Sequence, residues 1–100
     1  MYDLKNLTKL PKLAELAPEA YRGYTAFDEA AFRGGAIPLK YKELMAVAVA
    51  LTTQCPYCIG IHSKKAKAAG ASEQELAETA LIAAALRAGG AVTHGTHALG

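Results

Sequence analysis

Several features that commonly announce a function are scarce in this sequence. No stretch is apolar for the roughly 20 residues that a bilayer-spanning helix needs, and the first residues lack the hydrophobic core of a secretory leader. A cytoplasmic protein with no membrane partner is the expectation. Charge of neither sign prevails: 11 basic against 9 acidic residues leave a formal net charge of +2. Nothing in that balance calls for nucleic acid or an acidic membrane surface as partner. Cysteine occurs only twice, too rarely for a disulfide framework. In a reducing compartment two cysteines read as redox-active or metal-binding. Low-complexity segments and internal repeats are absent.

What the chain does hold is apolar. Hydrophobic residues make up 52% of its 100 residues. A chain of that length forms one domain and buries only part of its surface when folded alone. The surplus of apolar surface points to partner subunits.

The chemistry is concentrated between Glu43 and His62. Cys55 and Cys58 stand three apart and His62 follows Cys58 by four, so on a helix all three share a face. Pro56 suits the first position of such a helix, with Cys55 at its cap. Free N–H groups and the positive end of the helix dipole stabilise a thiolate there, and the thiolate is the nucleophilic form. Two sulfurs at this spacing close into a disulfide with little backbone movement. With a base one turn away, thiol–disulfide or peroxide chemistry fits.

Residues 39–53 read as a preceding helix, with Leu39, Glu43, Leu44, Val47, Ala48 and Leu51 at helical spacing. Its middle, Leu44 to Leu51, is apolar on every side and predicts a buried helix. If the cysteine helix folds back antiparallel, Glu43 lies about 15 Å and His62 about 10 Å from the turn. Their side chains can then meet, and a carboxylate beside an imidazole raises its basicity and fixes its tautomer.

Glu, eleven residues, Cys-x-x-Cys, three residues, His: this spacing resembles the core motif of alkylhydroperoxidase D, within the carboxymuconolactone decarboxylase superfamily. The likeness covers roughly residues 20 to 98. It implies an all-α fold and an obligate homo-oligomer, a trimer or a hexamer, that needs no cofactor. It also implies reduction of a small hydroperoxide at the expense of a lipoyl or thioredoxin-like dithiol protein. Carried over residue by residue, it makes Cys58 the attacking thiol, Cys55 the resolving one, and Glu43 with His62 the proton relay. Tyr57 stands where the founding enzymes have histidine. A phenol titrates near 10 and cannot serve as a base at neutral pH, which leaves it a pocket wall or a hydrogen-bond donor. Two alternatives are a decarboxylase-type lyase, which would not rely on a C-x-x-C pair, and a zinc-binding scaffold. In the latter, His62, His94 or His97 would join the two cysteines around the metal.

Elsewhere the sequence predicts an arm over residues 1–17 and a core domain over residues 18–100. The arm carries leucines every third residue, split by Pro11, and reads as a lid on the core. A helix opens at Pro18, with Tyr21, Tyr24, Phe27, Ala31 and Phe32 as its core stripe, and ends at Gly34-Gly35. The cysteine helix runs to Ala69, with Lys64, Lys65 and Lys67 facing water and Gly70 as cap. Ser72 and Glu75 form a capping box opening a last helix. Its packing face is read as Leu76, Ala77, Ala80, Leu81, Ala84, Ala85 and Ala88, with a kink or break at Gly89-Gly90. His94 and His97 share a face beyond that point.

Overall fold

Short-range signals place most of the helix boundaries. The computed structural model describes residues 2–100 and contains five α-helices: α1 Leu10–Leu16, α2 Pro18–Phe32, α3 Leu39–Thr53, α4 Pro56–Ala68 and α5 Glu73–His94. Short 3-10 segments precede α1 (Leu4–Lys9) and follow α5 (Gly95–Ala98). Proline stands in the first turn of α1, α2 and α4, where its missing N–H costs nothing. The capping box at α5 forms in both directions: Glu75 N–H donates to Ser72 Oγ at 3.0 Å, and Ser72 N–H donates to Glu75 Oε1 at 2.9 Å. Gly70 ends the cysteine helix with φ +100°, a left-handed conformation that glycine adopts without steric cost.

The frame is α3, α4 and α5. Helix α3 packs on both others, while α2 touches α3 only lightly and the N-terminal 3-10 segment lies on α4. Contacts at the two ends of α3 set its direction against α5. Lys40 Nζ reaches Glu75 Oε2 at 3.0 Å near the start of both helices. Arg87 Nη1 donates to the Thr52 carbonyl near the end of α3. The helices therefore run parallel, and the last turns of α5 project beyond the turn that carries the cysteines.

The core is thin. Val47, Ala50, Ala66 and Ala83 are its buried apolar residues, and among the described residues no large side chain is fully buried. Four expectations change here. Helix α3 is not enclosed on all sides: Glu43, Val47 and Ala50 form its buried stripe, whereas Val49 is 60% exposed and Met45 is exposed too. The aromatic stripe of α2 is largely outside, with Phe27 72% exposed and Tyr24 exposed, because α2 meets the body only near its end. In the arm, Leu4, Leu10, Leu13 and Leu16 are exposed as well, while the chain forms two short helical segments that meet beside Pro11, which stands in the first turn of α1. Finally, α5 buries Ala83 and turns Ala80, Leu81, Ala84, Ala85 and Ala88 outward.

Gly89-Gly90 does not interrupt α5. Each helical glycine costs about 1 kcal/mol relative to alanine, but Ala84, Ala85, Ala88 and Ala91 surround the pair and no proline follows. The helical run Glu73–Ala98 spans 26 residues, and its most apolar 18-residue window has a mean hydropathy of 1.2. By length and composition it could cross a membrane, contrary to the reading that broke it at the glycines. The same pattern marks a helix whose outer face packs against protein.

Candidate functional site

The turn between α3 and α4 builds the site. Gln54 ends α3 with φ 56°, and its N–H bonds the Ala50 carbonyl. Cys55 N–H reaches the same carbonyl at 3.1 Å. This left-handed residue reverses the chain within one step and delivers Cys55 to the cap of α4. There the Cys55 sulfur accepts the Cys58 backbone N–H at 3.3 Å. A hydrogen bond joins the two sulfurs, which are 2.7 Å apart, and both thiols are free.

The pair holds its protons unequally. The hydrogen bond from Cys58, then the backbone N–H groups of Cys58 and Tyr57, hold the Cys55 thiol below the ordinary range. The same sulfur–sulfur hydrogen bond, followed by burial and the charge on Cys55, pushes Cys58 up.

One turn along α4, His62 Nδ1 lies 2.7 Å from Glu43 Oε1. Glu43 is 4% exposed and is the one buried charged side chain among the described residues. A carboxylate accepts a hydrogen bond from Nδ1–H, which leaves Nε2 free to take a proton. Phe32, the last residue of α2, lies flat on the imidazole, with ring centroids 4.9 Å apart and planes within 7°. Contacts on the edge and on the face thus fix the ring. Phe32, Ala46, Val49, Ala50, Thr53, Cys58 and His62 line a pocket of about 290 Å³. Its walls are mainly apolar, and its two reactive groups are the Cys58 sulfur and the His62 ring.

The structure thus brings together Glu43, Cys55, Cys58 and His62. Tyr57 is placed differently from a pocket wall: it is not among the residues lining the pocket, and its hydroxyl accepts a hydrogen bond from Asn6 Nδ2 at 3.0 Å. His94 and His97 pair with each other, ring centroids 5.3 Å apart, at the far end of α5. Among the described residues no three histidine, cysteine or acidic side chains gather as metal ligands, so the tetrahedral set of the zinc alternative does not assemble. Two contributors escaped the sequence reading. Phe32 looked like one core aromatic among several, and Asn6 lay in an arm read for its leucines. Neither carries a local signal, because each acts across a tertiary contact.

Known proteins resemble this chain in sequence and in fold. Residues 18–99 match the carboxymuconolactone decarboxylase family. Uncharacterized protein 4 of the cox locus of Paracoccus denitrificans is 38% identical over 97 residues, covering 90% of this chain and 87% of that protein. An uncharacterized protein of Cupriavidus necator is 33% identical over 70 residues, covering 70% of this chain and 62% of its own length. The fold is similar to the apo crystal structure of a carboxymuconolactone decarboxylase family protein from Legionella pneumophila. That likeness has a TM-score of 0.79 and 38% identity, and covers 82% of this chain and 73% of that one. With most of its length inside the match and the fold to accompany it, the chain belongs to the carboxymuconolactone decarboxylase family.

Proposed function

We propose that this protein is a thiol-dependent hydroperoxide reductase and dithiol–disulfide oxidoreductase. The observation that carries the reading is the pair of free, hydrogen-bonded sulfurs at the start of α4, one turn from a buried Glu43–His62 pair. Each sulfur has a distinct task. Cys58 faces the apolar pocket and holds its proton tightly, so it needs a base, and His62 lines the same pocket. His62 Nε2 takes that proton, directly or through water. The Cys58 thiolate attacks the terminal peroxide oxygen and the O–O bond breaks. The alkoxide leaves as alcohol with the proton from His62, and Cys58 becomes a sulfenic acid. The Cys55 thiolate then attacks the Cys58 sulfur, and hydroxide leaves to be protonated to water. A dithiol donor reduces the resulting disulfide and is itself oxidised. A lipoyl or thioredoxin-like protein suits that role. The pocket's volume favours a small organic hydroperoxide.

The working unit in this proposal is a homo-oligomer, a trimer or a hexamer. The Cα radius of gyration is 16.6 Å, against about 13 Å for a compact chain of this length. Leu81, Ile82 and Leu86 on α5 and Met45 and Val49 on α3 are exposed apolar residues, and a second copy would cover them.

Hydroperoxide consumption driven by dithiothreitol tests the reading. Wild type should turn over and Cys58→Ser should not. A Cys58→Ser protein with full activity would overturn it.

A further inference from the structure

The residue between the two cysteines holds the N-terminal arm. Asn6 Nδ2 donates to the Tyr57 hydroxyl at 3.0 Å. The Tyr2 ring lies 6.0 Å from the Tyr57 ring, centroid to centroid, tilted by 58°. One turn further along α4, the Leu4 methyl groups sit over Gly60, where an added Cβ would stand 3.5 Å from the nearest of them. These three contacts fall on one face of α4, because positions 57 and 60 are neighbours there. Cys58 and His62 occupy the adjacent face, with their pocket towards α2 and α3. The dithiol turn is thus walled on one side by the pocket and on the other by residues 2–9.

From this geometry we propose that Asn6 and Tyr57 form a latch that determines which thiols reach the disulfide; the inference rests on the dithiol reading given above. Thiol–disulfide exchange depends on access to the attacked sulfur as well as on the attacking thiolate. A small thiol can approach past the arm. A folded protein must bring a broad surface to the start of α4, which residues 2–9 occupy while the latch is closed. Tyr2 and Leu4 are themselves exposed, and the hydrogen bond adds to the arm's attachment on α4. Tyr57 therefore acts on specificity and not on proton transfer, consistent with its hydroxyl facing Asn6. The reduction step is ordinary exchange: the donor's thiolate bonds one sulfur of the Cys55–Cys58 disulfide, the other sulfur leaves as thiolate, and the donor's second thiol releases the mixed disulfide.

The test compares reduction rates of the oxidised full-length protein by reduced thioredoxin and by dithiothreitol. The quantity read is the ratio of the two in wild type, Asn6→Ala, Tyr57→Phe and the double variant. Losing one hydrogen bond of ordinary strength shifts a closed–open ratio by about fivefold. Each single variant should raise the thioredoxin-to-dithiothreitol ratio by about that factor. The double variant should gain less than the two single effects combined, since both changes remove the same bond. Tyr57→Phe keeps the ring packing and guards against a folding artefact. An unchanged ratio, or a fall with thioredoxin alone, would overturn the latch. Failure of either reductant to act on any of the four proteins would count instead against the dithiol reading itself.

Discussion

Glu43 Oε1 and His62 Nδ1 lie 2.7 Å apart across two antiparallel helices, although nineteen positions separate them in the chain. The contact is buried on the carboxylate side, so water screens it little. Glu43→Gln keeps the shape but removes the carboxylate charge beside the ring. The rate of peroxide-dependent thiol oxidation should fall, about 10²-fold if the relay supplies ordinary general-base catalysis. An identical rate in stopped-flow measurements would argue against the relay. Glu43→Ala should also cost about 1–3 kcal/mol of stability, because the ring loses its buried partner; chemical denaturation measures this.

The sulfur–sulfur hydrogen bond makes a second prediction. It is the leading cause holding Cys55 below the ordinary thiol range. Iodoacetamide alkylation of Cys55 followed against pH should show a midpoint below about 8.5. A group with a lowered pKa is ionised above that midpoint and becomes unreactive as pH falls through it. Cys58→Ala removes the donor and should move the midpoint up. Cys58→Ser supplies a hydroxyl donor and should move it less. If the midpoint were the same in wild type and Cys58→Ala, the shared proton would have no support.

Phe32 stacks on the face of His62 and lines the pocket. Phe32→Leu retains apolar bulk but loses the flat contact. Aromatic pairs of this kind contribute about 0.5–1.5 kcal/mol beyond burial, so the loss of stability should be modest. Thiol oxidation should slow, since the ring becomes freer to rotate about its bond to Glu43. Phe32→Tyr should restore the rate. Equal rates for wild type and Phe32→Leu would leave the stack without a part in the chemistry.

Gln54 offers a test of the turn. Its φ of 56° is unfavourable for a residue with a Cβ, by about 1 kcal/mol or somewhat more. Gln54→Gly relieves that cost and loses part of the gain to the greater freedom of unfolded glycine. A net stabilisation of a few tenths of a kcal/mol up to about 1 kcal/mol should appear in thermal melts. Gln54→Val, β-branched at positive φ, should destabilise and disturb the spacing of the cysteines.

Much of this architecture is written locally. Pro18, Pro56, Gly70 and the Ser72–Glu75 box mark helix ends through φ preferences and side-chain hydrogen bonds that act within four residues. The spacing of Glu43, Cys55, Cys58 and His62 needs only helical periodicity and one reversal to bring the four side chains to one place. What surrounds them was not legible that way. Hydrophobic periodicity says that a residue prefers to leave water, not which neighbour receives it. So Tyr24, Phe27 and Val49 read as core and stand outside, and the alanine face of α5 turned away from α3.

The sequence by itself determined the helical class, the boundaries set by proline, glycine and the capping box, and the chemical types gathered at the α3–α4 turn. Those follow from interactions spanning a turn or two of chain. Only the tertiary structure decided how close the two sulfurs stand, that Phe32 covers His62, and that Tyr57 faces Asn6. Each of these depends on atoms brought close by packing or by the conformation of a single turn, and neither spacing nor composition encodes such a distance.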